Sequence, residues 1–477
     1  TIKMVKLETL ISLAKHRGFI FQSSEIYGGL NGCWDFGPLG VELLRNLKEE
    51  WWKAMTYRDD IEGIDASILM HPRTWEASGH LTQFSDPMID NKQSKSRYRA
   101  DNLIEEYIEK LIKKKKNDKA RILTEKLGKA SEPKDYYDLI MEYEIADPVS
   151  GSKEWTEVRN FNLMFKTFVG PVEDSSSAVY LRPESAQGIY VNFKNVMETA
   201  RQKVPFGIAQ IGKAFRNEIN TKNFLFRTRE FEQMEMQYFV KPGSENEWFD
   251  YWLEERRNWY IKLGIKPENL RLKDHDKLAH YASRATDIEM LFPFGWGEVE
   301  GIHSRTDYDL SAHQKFSGKK LEFVDTVNNE RFVPYVVETS GGVTRSLMGI
   351  LCNSYDEEEI AGENGKAETR TVMRFHSRLA PVQIAIFPLV NKDGMPEKAH
   401  SIYKDLQQHF KTQYDTSGAI GRRYRRQDEI GTPFCVTIDG QTLEDGTVTI
   451  RERDSMLQDR INENNIDTYV NDKFFKA

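Results

Sequence analysis

The chain has 477 residues, 39% of them hydrophobic and 12% aromatic. This length favours two or three domains, and the apolar content excludes wholesale disorder. The 67 basic and 74 acidic residues give a net charge of −7, which argues against a protein that coats nucleic acid nonspecifically. No segment approaches the roughly 20 apolar residues of a membrane-spanning helix, so no membrane partner is predicted.

The cysteine pattern argues against a disulfide framework and against a cysteine-based zinc site. Cys33, Cys352 and Cys435 are far apart, and no CxxC pair occurs. This usage fits a reducing compartment, and residues 1–13 do not resemble a signal peptide. We therefore expect a cytoplasmic location.

The N-terminal region is predicted to form a helix, a glycine-rich turn and a second helix over residues 41–55. The second helix has one apolar face at helical spacing, which carries Leu44, Leu47, Trp51 and Met55. Residues 61–70 then resemble a strand that ends at Pro72.

A polar, lysine-rich stretch lies between about residues 98 and 155 and is predicted to be helical. Its basic residues are Lys110, Lys113, Lys114, Lys115, Lys116, Lys119 and Arg121. The favoured interpretation is a solvated helical insertion. A surface that contacts an RNA backbone is the alternative.

Two predicted strands, at 207–216 and 229–240, flank a polar loop within residues 205–240. Because side chains alternate between the faces of a strand, Arg216, Gln233 and Glu235 should share one surface. Along the second strand, residues 231, 233, 235 and 237 should line this face, and residues 234, 236 and 238 the opposite one. Such a polar floor could bind a ligand, with arginine for phosphate and glutamate for an ammonium group or a metal. The alternative is that these charges pair across a solvated hairpin.

In a second segment, a predicted strand at 336–342 leads through a glycine turn into a helix at 343–355. Arg345 lies in the first turn, where the helix dipole disfavours a cation, so we expect it to serve an anion. A third segment, 296–302, alternates the carboxylates Glu298 and Glu300 with small or apolar residues.

A second domain is predicted from about Arg378, with a strand at 382–388, a helix at 397–410 and a strand at 434–438. This order indicates a small α/β module. A local arginine cluster could hold RNA phosphate or form a solvated loop, and it comprises Arg422, Arg423, Arg425 and Arg426.

Three segments resemble the signature motifs of class II aminoacyl-tRNA synthetases. Residues 216–218 with 226–231 resemble motif 2, and residues 338–345 resemble motif 3. The helix, strand and proline of 40–72 resemble motif 1, the dimer-forming element of that class.

Further segments resemble, more narrowly, the glycyl-tRNA synthetases of the single-chain, homodimeric type. They are 97–101, 180–188, 229–235 and 304–309. The resemblance implies an α/β (α+β) fold with an antiparallel-sheet catalytic domain at 1–375. It also implies a helical insertion at about 92–158 and a C-terminal α/β anticodon-binding domain at 378–477.

The resemblance also implies a reaction and its partners. The family joins glycine to tRNA(Gly) through glycyl-adenylate, using ATP and Mg²⁺, as a cytoplasmic homodimer. Residues 91–94 lie where some relatives carry a cysteine pair, so no zinc is expected there. By this resemblance Arg216, Arg345 and Glu298 are catalytic, Phe231 stacks on adenine, and Arg227 helps to hold the far phosphates of ATP.

The resemblance places metal binding at Glu298 and Glu338, with glycine binding as the alternative role of Glu338. The implied glycine-binding residues are Arg99, Glu184, Phe231, Glu232, Gln233, Met234, Glu235, Arg305, Glu338, Thr339, Ser340, Gly341 and Gly342. The implied ATP-binding residues are Arg216, Asn217, Glu218, Phe226, Arg227, Thr228, Arg229, Glu230, Phe231, Glu298, Val299, Gly342, Val343, Thr344 and Arg345.

Two alternatives stay open at this point. One is a nucleic-acid-binding accessory protein with a synthetase-like fold and no catalysis. The other is a class II synthetase for another small amino acid. The retained Arg216, Arg227, Arg345, Glu298 and Glu338 argue against the first. The carboxylates at 184, 235 and 338, with no evident Cys/His metal set, argue against a zinc-assisted threonine pocket.

Overall fold

The structure is a computed structural model, which describes residues 4–362 and 365–476. The helices are α1 Leu7–His16, α2 Pro38–Thr56, α3 Pro72–Ala77, α4 His80–Gln83, α5 Ala100–Lys113, α6 Asn117–Leu127, α7 Pro133–Glu142, α8 Ala186–Val191, α9 Phe193–Thr199, α10 Glu245–Lys262, α11 Tyr308–Ser317, α12 Val343–Ser354, α13 Met395–Leu406, α14 Ile420–Ile430, α15 Gly440–Asp445 and α16 Ile466–Lys476.

The strands are β1 Ile20–Gln22, β2 Trp34–Phe36, β3 Ile61–Gly63, β4 Ser85–Asp90, β5 Arg97–Arg99, β6 Arg159–Asn162, β7 Lys166–Phe168, β8 Ala178–Tyr180, β9 Phe206–Phe215, β10 Glu230–Val240, β11 Leu270–Asp274, β12 Arg284–Phe292, β13 Gly295–Thr306, β14 Phe323–Asp325, β15 Glu330–Phe332, β16 Tyr335–Gly342, β17 Tyr355–Ala361, β18 Ala367–Met373, β19 Ile384–Pro388, β20 Thr412–Tyr414, β21 Phe434–Ile438, β22 Thr447–Glu452 and β23 Gln458–Asn462.

The chain divides into two units. One comprises Thr1–Ile68 and Glu184–Ala477, and the other comprises Leu69–Pro183. The second unit contains a three-stranded sheet in the order β5-β4-β6 and the helices α5, α6 and α7. Its apolar core joins side chains from these helices, such as Leu103, Leu123 and Ile140, to Trp155.

The first unit is built on a seven-stranded sheet in the order β11-β12-β13-β16-β10-β9-β3. Every neighbouring pair is antiparallel except β3 and β9, which are parallel. This arrangement agrees with the antiparallel catalytic sheet that the sequence resemblance implied.

Helices α2, α10 and α12 supply the core of the first unit against one face of this sheet. The apolar face predicted for α2 is buried, with Leu44, Leu47, Trp51 and Met55 at most 7% exposed. On the sheet, Met234, Met236 and Tyr238 belong to the same core. The opposite face of β10 is thereby left to polar side chains.

The C-terminal part of the first unit contains a five-stranded sheet in the order β20-β19-β21-β22-β23. Strand β19 runs parallel to β20 and β21, and the remaining pairs are antiparallel. Helices α13 and α16 contribute to its own apolar core, which includes Ile386, Val436 and Ile450. The predicted α/β module is therefore present.

Two predictions for the N-terminal region differ from the structure. Strand β3 ends at Gly63 rather than at residue 70. The N–H of Ile64 still donates to the carbonyl of Ala209 on β9 (2.9 Å), but that of Ala66 donates to Oε1 of the Gln210 side chain (2.5 Å), so the backbone ladder stops there. The glycine-rich turn contains a short hairpin, β1–β2, that was not predicted. Gly28, Gly29 and Gly32 have positive φ there, which glycine adopts without strain.

Candidate active site

One face of the large sheet collects the predicted polar side chains. The register of β10 places Glu235 opposite Gln210 of β9 and Ser340 of β16, while Gln237 lies opposite Glu338. We call this the polar face; its residues are Gln210, Gln233, Glu235, Gln237, Asp287, Gly301, His303, Glu338 and Ser340. The predicted alternation of 231, 233, 235 and 237 against 234, 236 and 238 is confirmed by this register.

Glu235 is buried at the centre of the polar face and accepts two hydroxyl hydrogen bonds. Ser185 Oγ donates to Oε2 and Ser340 Oγ donates to Oε1, both at 2.6 Å. Burial raises the pKa of Glu235 to about 7, and the negative charges of Glu338 and Glu184 act in the same direction. Glu235 is thus a carboxylate that a bound cation would readily keep ionised.

Glu338 is also buried, but its carboxylate is held by donors on both oxygens. Gln237 Nε2 donates to Oε2 (2.7 Å), and Arg305 Nη1 donates to Oε1 (3.3 Å). His303 Nδ1 lies 3.1 Å from the same Oε1. Burial alone would raise the pKa of Glu338, but Arg305 and His303 hold it below its ordinary value.

Arg305 is itself positioned by Asp309, in the first turn of α11. Its Nε and Nη2 donate to the two carboxylate oxygens of Asp309 at 2.7 and 3.0 Å. Its guanidinium stacks 3.8 Å from the centre of the Tyr281 ring. Since Asp309 already balances its charge, the cluster at Glu338 stays negative overall.

Glu184 completes a set of three carboxylates. Gln187 Nε2 donates to Glu184 Oε1 at 2.9 Å, and the ring of His313 contacts Gln187 Oε1 at 2.7 Å. The neighbouring Ser185 is fixed by the sheet, because its N–H donates to Gln233 Oε1 (3.1 Å). The three carboxylates repel one another, and the charges of Glu184 and Glu338 raise the pKa of Glu235. A bound cation such as a primary ammonium group would relieve this repulsion.

Arginines converge where motifs 2 and 3 meet. Arg345 donates through Nε to the carbonyl of Phe226 and through Nη1 to the carbonyl of Glu298, both at 3.0 Å. Burial lowers the pKa of Arg345, and the charges of Arg216 and Arg227 lower it further, whereas Glu298 opposes the shift. Three guanidinium groups that repel one another form a site for a polyanion.

Two aromatic rings pack against these arginines. The Arg345 guanidinium lies 3.9 Å from the centre of the Phe226 ring, and Arg216 lies 5.5 Å from that of Phe231. Phe226 is held edge-on by Phe292 and Phe294. The arginines are thus oriented by rings as well as by backbone carbonyls.

Several residues predicted for the glycine pocket have side chains on the opposite face of the sheet. Glu232 pairs with Lys48 of α2 (3.0 Å), and Met234 lies in the helix-packed core. Thr339 and Gly341 follow the same alternation, and a Cβ on Gly341 would lie 2.9 Å from Met234 Cε. The side chains of these four residues therefore do not line the proposed pocket, because successive side chains of a strand point to opposite faces of the sheet.

Residues at the edge of the predicted ATP site stabilise the local fold. Arg229 donates to the carbonyls of Glu218 (2.9 Å) and Asn31 (2.6 Å), and Glu230 pairs with Lys213 (3.0 Å). Thr344 Oγ1 accepts the N–H of Glu232 (3.0 Å). Three further residues from the prediction are buried, namely Thr228, Val299 and Val343.

Arg99 lies in the other unit, at the end of β5. There its guanidinium pairs with Asp101 (2.6 Å) and Asp86 (3.2 Å). Its predicted role at glycine remains a prediction.

Sequence reasoning missed Asp309 and His303 as parts of the site. It placed Gln237 on the polar face of the strand but did not assign it to the site. Asp309 lies four residues after Arg305, the spacing of a helical ion pair. His303 carried no such signal, because its contact to Glu338 depends on the register of two distant strands.

Comparison with known proteins identifies the parts of the chain. Residues 167–355 match the class II core domain of tRNA synthetases (G, H, P, S and T). Residues 383–473 match the anticodon binding domain, and residues 86–131 and 115–163 match the glycyl-tRNA synthetase insertion domain 1.

Curated relatives are similar over nearly their whole length. The glycine–tRNA ligase of Chlorobaculum tepidum is 56% identical, over 96% of this chain and 97% of the relative. That of Borreliella burgdorferi is 54% identical over 98% and 97%, and that of Treponema denticola 53% over 96% and 94%. The chain therefore belongs to the glycine–tRNA ligase family of class II aminoacyl-tRNA synthetases.

Proposed function

We propose that this chain ligates glycine to tRNA(Gly) with ATP, through a glycyl-adenylate intermediate. The observation that carries the proposal is a carboxylate cluster on β10 and β16 of one sheet, with an arginine cluster in the segments that adjoin strands of the same sheet. Glu235 and Glu338 lie on β10 and β16, and Arg345 follows β16 at the start of α12. The two clusters match the ammonium group of an amino acid and the phosphates of ATP.

The carboxylates Glu184, Glu235 and Glu338 would hold the glycine ammonium. The Ser185 and Ser340 hydroxyls fix Glu235 from both sides, which leaves little freedom for the carboxylate to move aside. A larger amino acid would have to displace this network. Added atoms in a tight polar site cost on the order of 1–3 kcal/mol or more, so steric exclusion can separate glycine from alanine.

Arg216, Arg227 and Arg345 would hold ATP, with Phe231 stacking on adenine. In adenylate formation an oxygen of the glycine carboxylate attacks the α-phosphorus, and the bond to the β-phosphate oxygen breaks to release pyrophosphate. The carboxylate is already ionised, so no general base is required. Arg216 would counter the charge that develops at the α-phosphate, so that positioning and electrostatics supply the catalysis.

The second step transfers glycine to RNA. A hydroxyl of the 3′-terminal adenosine attacks the glycyl carbonyl, and AMP leaves with the bonding electron pair. The C-terminal module, which matches the anticodon binding domain, would contact the distant part of the tRNA. We further propose a cytoplasmic homodimer, as the sequence resemblance implies.

Mg²⁺ fits one of the two predicted ligands better than the other. Glu298 is half-exposed, and its Oε2 lies 3.8 Å from Arg345 Nη1, beside the arginine cluster. Both oxygens of Glu338 are already engaged by protein donors. We therefore assign Glu298 to ATP-bound Mg²⁺, which would neutralise phosphate charge, and Glu338 to glycine.

ATP–pyrophosphate exchange tests the proposal, with glycine, alanine, serine and threonine compared in parallel. Exchange with glycine alone, followed by glycylation of tRNA(Gly), is the expected result. Exchange with another amino acid would favour a synthetase of different specificity. No exchange from folded protein would favour the non-catalytic accessory protein.

A further inference from the structure

We propose that His275, Asp287 and His303 bind a divalent transition-metal ion of the zinc class. Each residue offers one ligand atom, and these atoms all lie within 4.8 Å of one another. The three residues are spread over 275–303 without a metal-binding spacing, so the sequence carries no local signal for the set. The set lies on the polar face, and His303 also contacts Glu338, but metal binding is measurable without glycine or ATP.

The three side chains come from adjacent strands of the large sheet. His275 follows β11, and its N–H donates to the carbonyl of Ala285 on β12 (3.1 Å). His303 of β13 lies opposite the same Ala285, and Asp287 lies opposite Gly301. The imidazoles of His275 and His303 and the carboxylate of Asp287 therefore lie beside Ala285 and Gly301, where little or no side chain occupies the space.

Gly301 is required for the position of His303. A Cβ built on Gly301 would lie 2.5 Å from Cε1 of the His303 ring, which is closer than real contacts allow. The imidazole thus lies over the glycine backbone. The ring planes of His275 and His303 are nearly perpendicular (85°), with centres 5.8 Å apart.

Three buried polar atoms of this set lack a well-aligned hydrogen bond within the described part of the chain: Nε2 of His275, Oδ1 of Asp287 and Nδ1 of His303. The first two form an ion pair at 2.7 Å, and Nδ1 of His303 lies 3.1 Å from Oε1 of Glu338. Buried polar atoms with unsatisfied hydrogen bonding are rare, and a cation shared by His275 and Asp287 would satisfy both of their atoms at once.

The donor set selects the class of metal. Two imidazoles and a carboxylate are ligands that Zn²⁺ and similar ions take in sites with an open position, whereas Mg²⁺ prefers oxygen ligands. Nearby charge also favours a cation. Glu298 and Glu338 act electrostatically on His303, and Arg305, the cation nearby, is paired with Asp309. His303 also contacts Glu338, the arrangement in which an outer carboxylate orients a metal-ligating histidine.

The test is metal binding by the full-length protein after treatment with a chelator, without glycine or ATP. Calorimetric titration with Zn²⁺ and visible absorption of bound Co²⁺ should both report one ion per chain. We expect His275→Ala and Asp287→Ala each to weaken binding at least 100-fold, on the order of the loss of one ligand. Gly301→Ala should weaken binding as well, because it displaces the ring of His303.

His409→Ala, an exposed histidine in the C-terminal module, is the matched control and should leave binding unchanged. Thermal unfolding of each variant separates loss of the site from loss of the fold. Absence of stoichiometric binding by the wild-type chain would overturn the proposal. Equal affinity in wild type, His275→Ala and Asp287→Ala would overturn it too, and neither outcome bears on glycine-dependent exchange.

Discussion

At the scale of single residues, the polar face holds two neighbouring buried carboxylates in different states. Burial raises the pKa of Glu235 to about 7, while Arg305 and His303 keep that of Glu338 low despite its burial. The difference comes from their partners: Glu235 has two neutral hydroxyls, and Glu338 has a guanidinium group. Of these two carboxylates, Glu235 is therefore the one whose charge changes near neutral pH.

We predict that glycine activation depends on the ionisation of Glu235. Below about pH 7 the carboxyl is increasingly protonated in the free enzyme, so it no longer attracts the ammonium group. The kcat/KM for glycine in pyrophosphate exchange should fall about tenfold per pH unit on the acid side of that value. Glu235→Gln should be far less active and should lose this limb, while Glu198→Gln, an exposed control on α9, should keep it. An unchanged acid limb in Glu235→Gln would exclude Glu235 as its source.

Arg345 offers a second test at the residue scale. Arg345→Gln removes one of three mutually repelling cations, so we expect kcat/KM for ATP to fall by roughly 100- to 1000-fold, as when one preorganised donor is lost. Steady-state exchange kinetics with varied ATP measure the effect. Arg331→Gln, which removes an exposed cation paired with Glu322, is the control. Equal ATP kinetics in the two variants would contradict the phosphate role.

At the scale of elements, long periodic segments were predictable and short ones were not. The strands expected at 207–216 and 229–240 correspond to β9 and β10 within about one residue, and the helix expected at 343–355 corresponds to α12. Strand alternation fails where the register shifts, which happens between β12 and β13 and again between β13 and β16. A register shift at Ile288/Glu289 places Glu298 and Glu300 on opposite faces of the sheet. Glu300 is buried and accepts a hydrogen bond from Nε of Arg256 (2.7 Å). A bulge of one residue reverses the facing of all that follows, and no local pattern announces it.

Gly40 tests how α2 packs against the preceding hairpin. A Cβ at this position would lie 1.8 Å from the carbonyl oxygen of Phe19, which is backbone and cannot move aside cheaply. We predict that Gly40→Ala destabilises the protein by roughly 3 kcal/mol or more. The change should appear as a marked drop in the midpoint of thermal unfolding.

Gly128→Ala provides the comparison for that prediction. Gly128 has an ordinary helical backbone conformation, and the nearest atom to an added Cβ is at 3.5 Å. The substitution should be neutral or slightly stabilising, because alanine restricts the unfolded chain. Equal midpoints for the Gly40 and Gly128 variants would show that the contact at Phe19 does not restrain α2.

At the scale of the whole molecule, one buried carboxylate connects distant segments of the first unit. Asp428 of α14 accepts from Arg370 Nε of β18 (2.9 Å) and from Arg451 of β22 (2.9 and 3.0 Å). Arg370 also donates to Glu358 and to the carbonyl of Arg453. All three members of the Asp428 cluster are at most 4% exposed, so each charge depends on the others.

We predict that Asp428→Asn destabilises this unit strongly. The substitution leaves the buried Arg451 with a neutral partner and removes one of the two carboxylates that pair with Arg370, and breaking such a network costs about 3–5 kcal/mol. Differential scanning calorimetry should show a lowered transition. Asp393→Asn, on an exposed turn, is the control. If both variants unfold at the same temperature, Asp428 does not hold these segments together.

The same region bears on the predicted arginine cluster of 422–426. Arg423 is buried and donates to the carbonyls of Pro388 (2.6 Å) and Gly418 (2.9 Å), while Arg426 pairs with Asp415 (2.6 Å). Arg425 pairs with Asp428 (3.5 Å), so three of the four arginines support local structure. This arrangement weakens the RNA-phosphate interpretation, which requires the guanidinium groups to face a ligand.

Within residues 4–362 and 365–476, no helix combines the length and apolar character that a bilayer crossing demands.

The amino-acid sequence by itself determined the class of chemistry. The residues of each synthetase motif are close together in the chain, so their types and spacing can be read directly from the sequence. It also determined the long strands and helices, whose periodicity is local. Only the tertiary structure decided which side chains meet: Arg305 with Glu338, Ser185 with Glu235, and the set His275, Asp287 and His303. These contacts join residues far apart in the chain and depend on strand register and on a bulge. A register shift of one residue reverses every side chain without altering any local pattern.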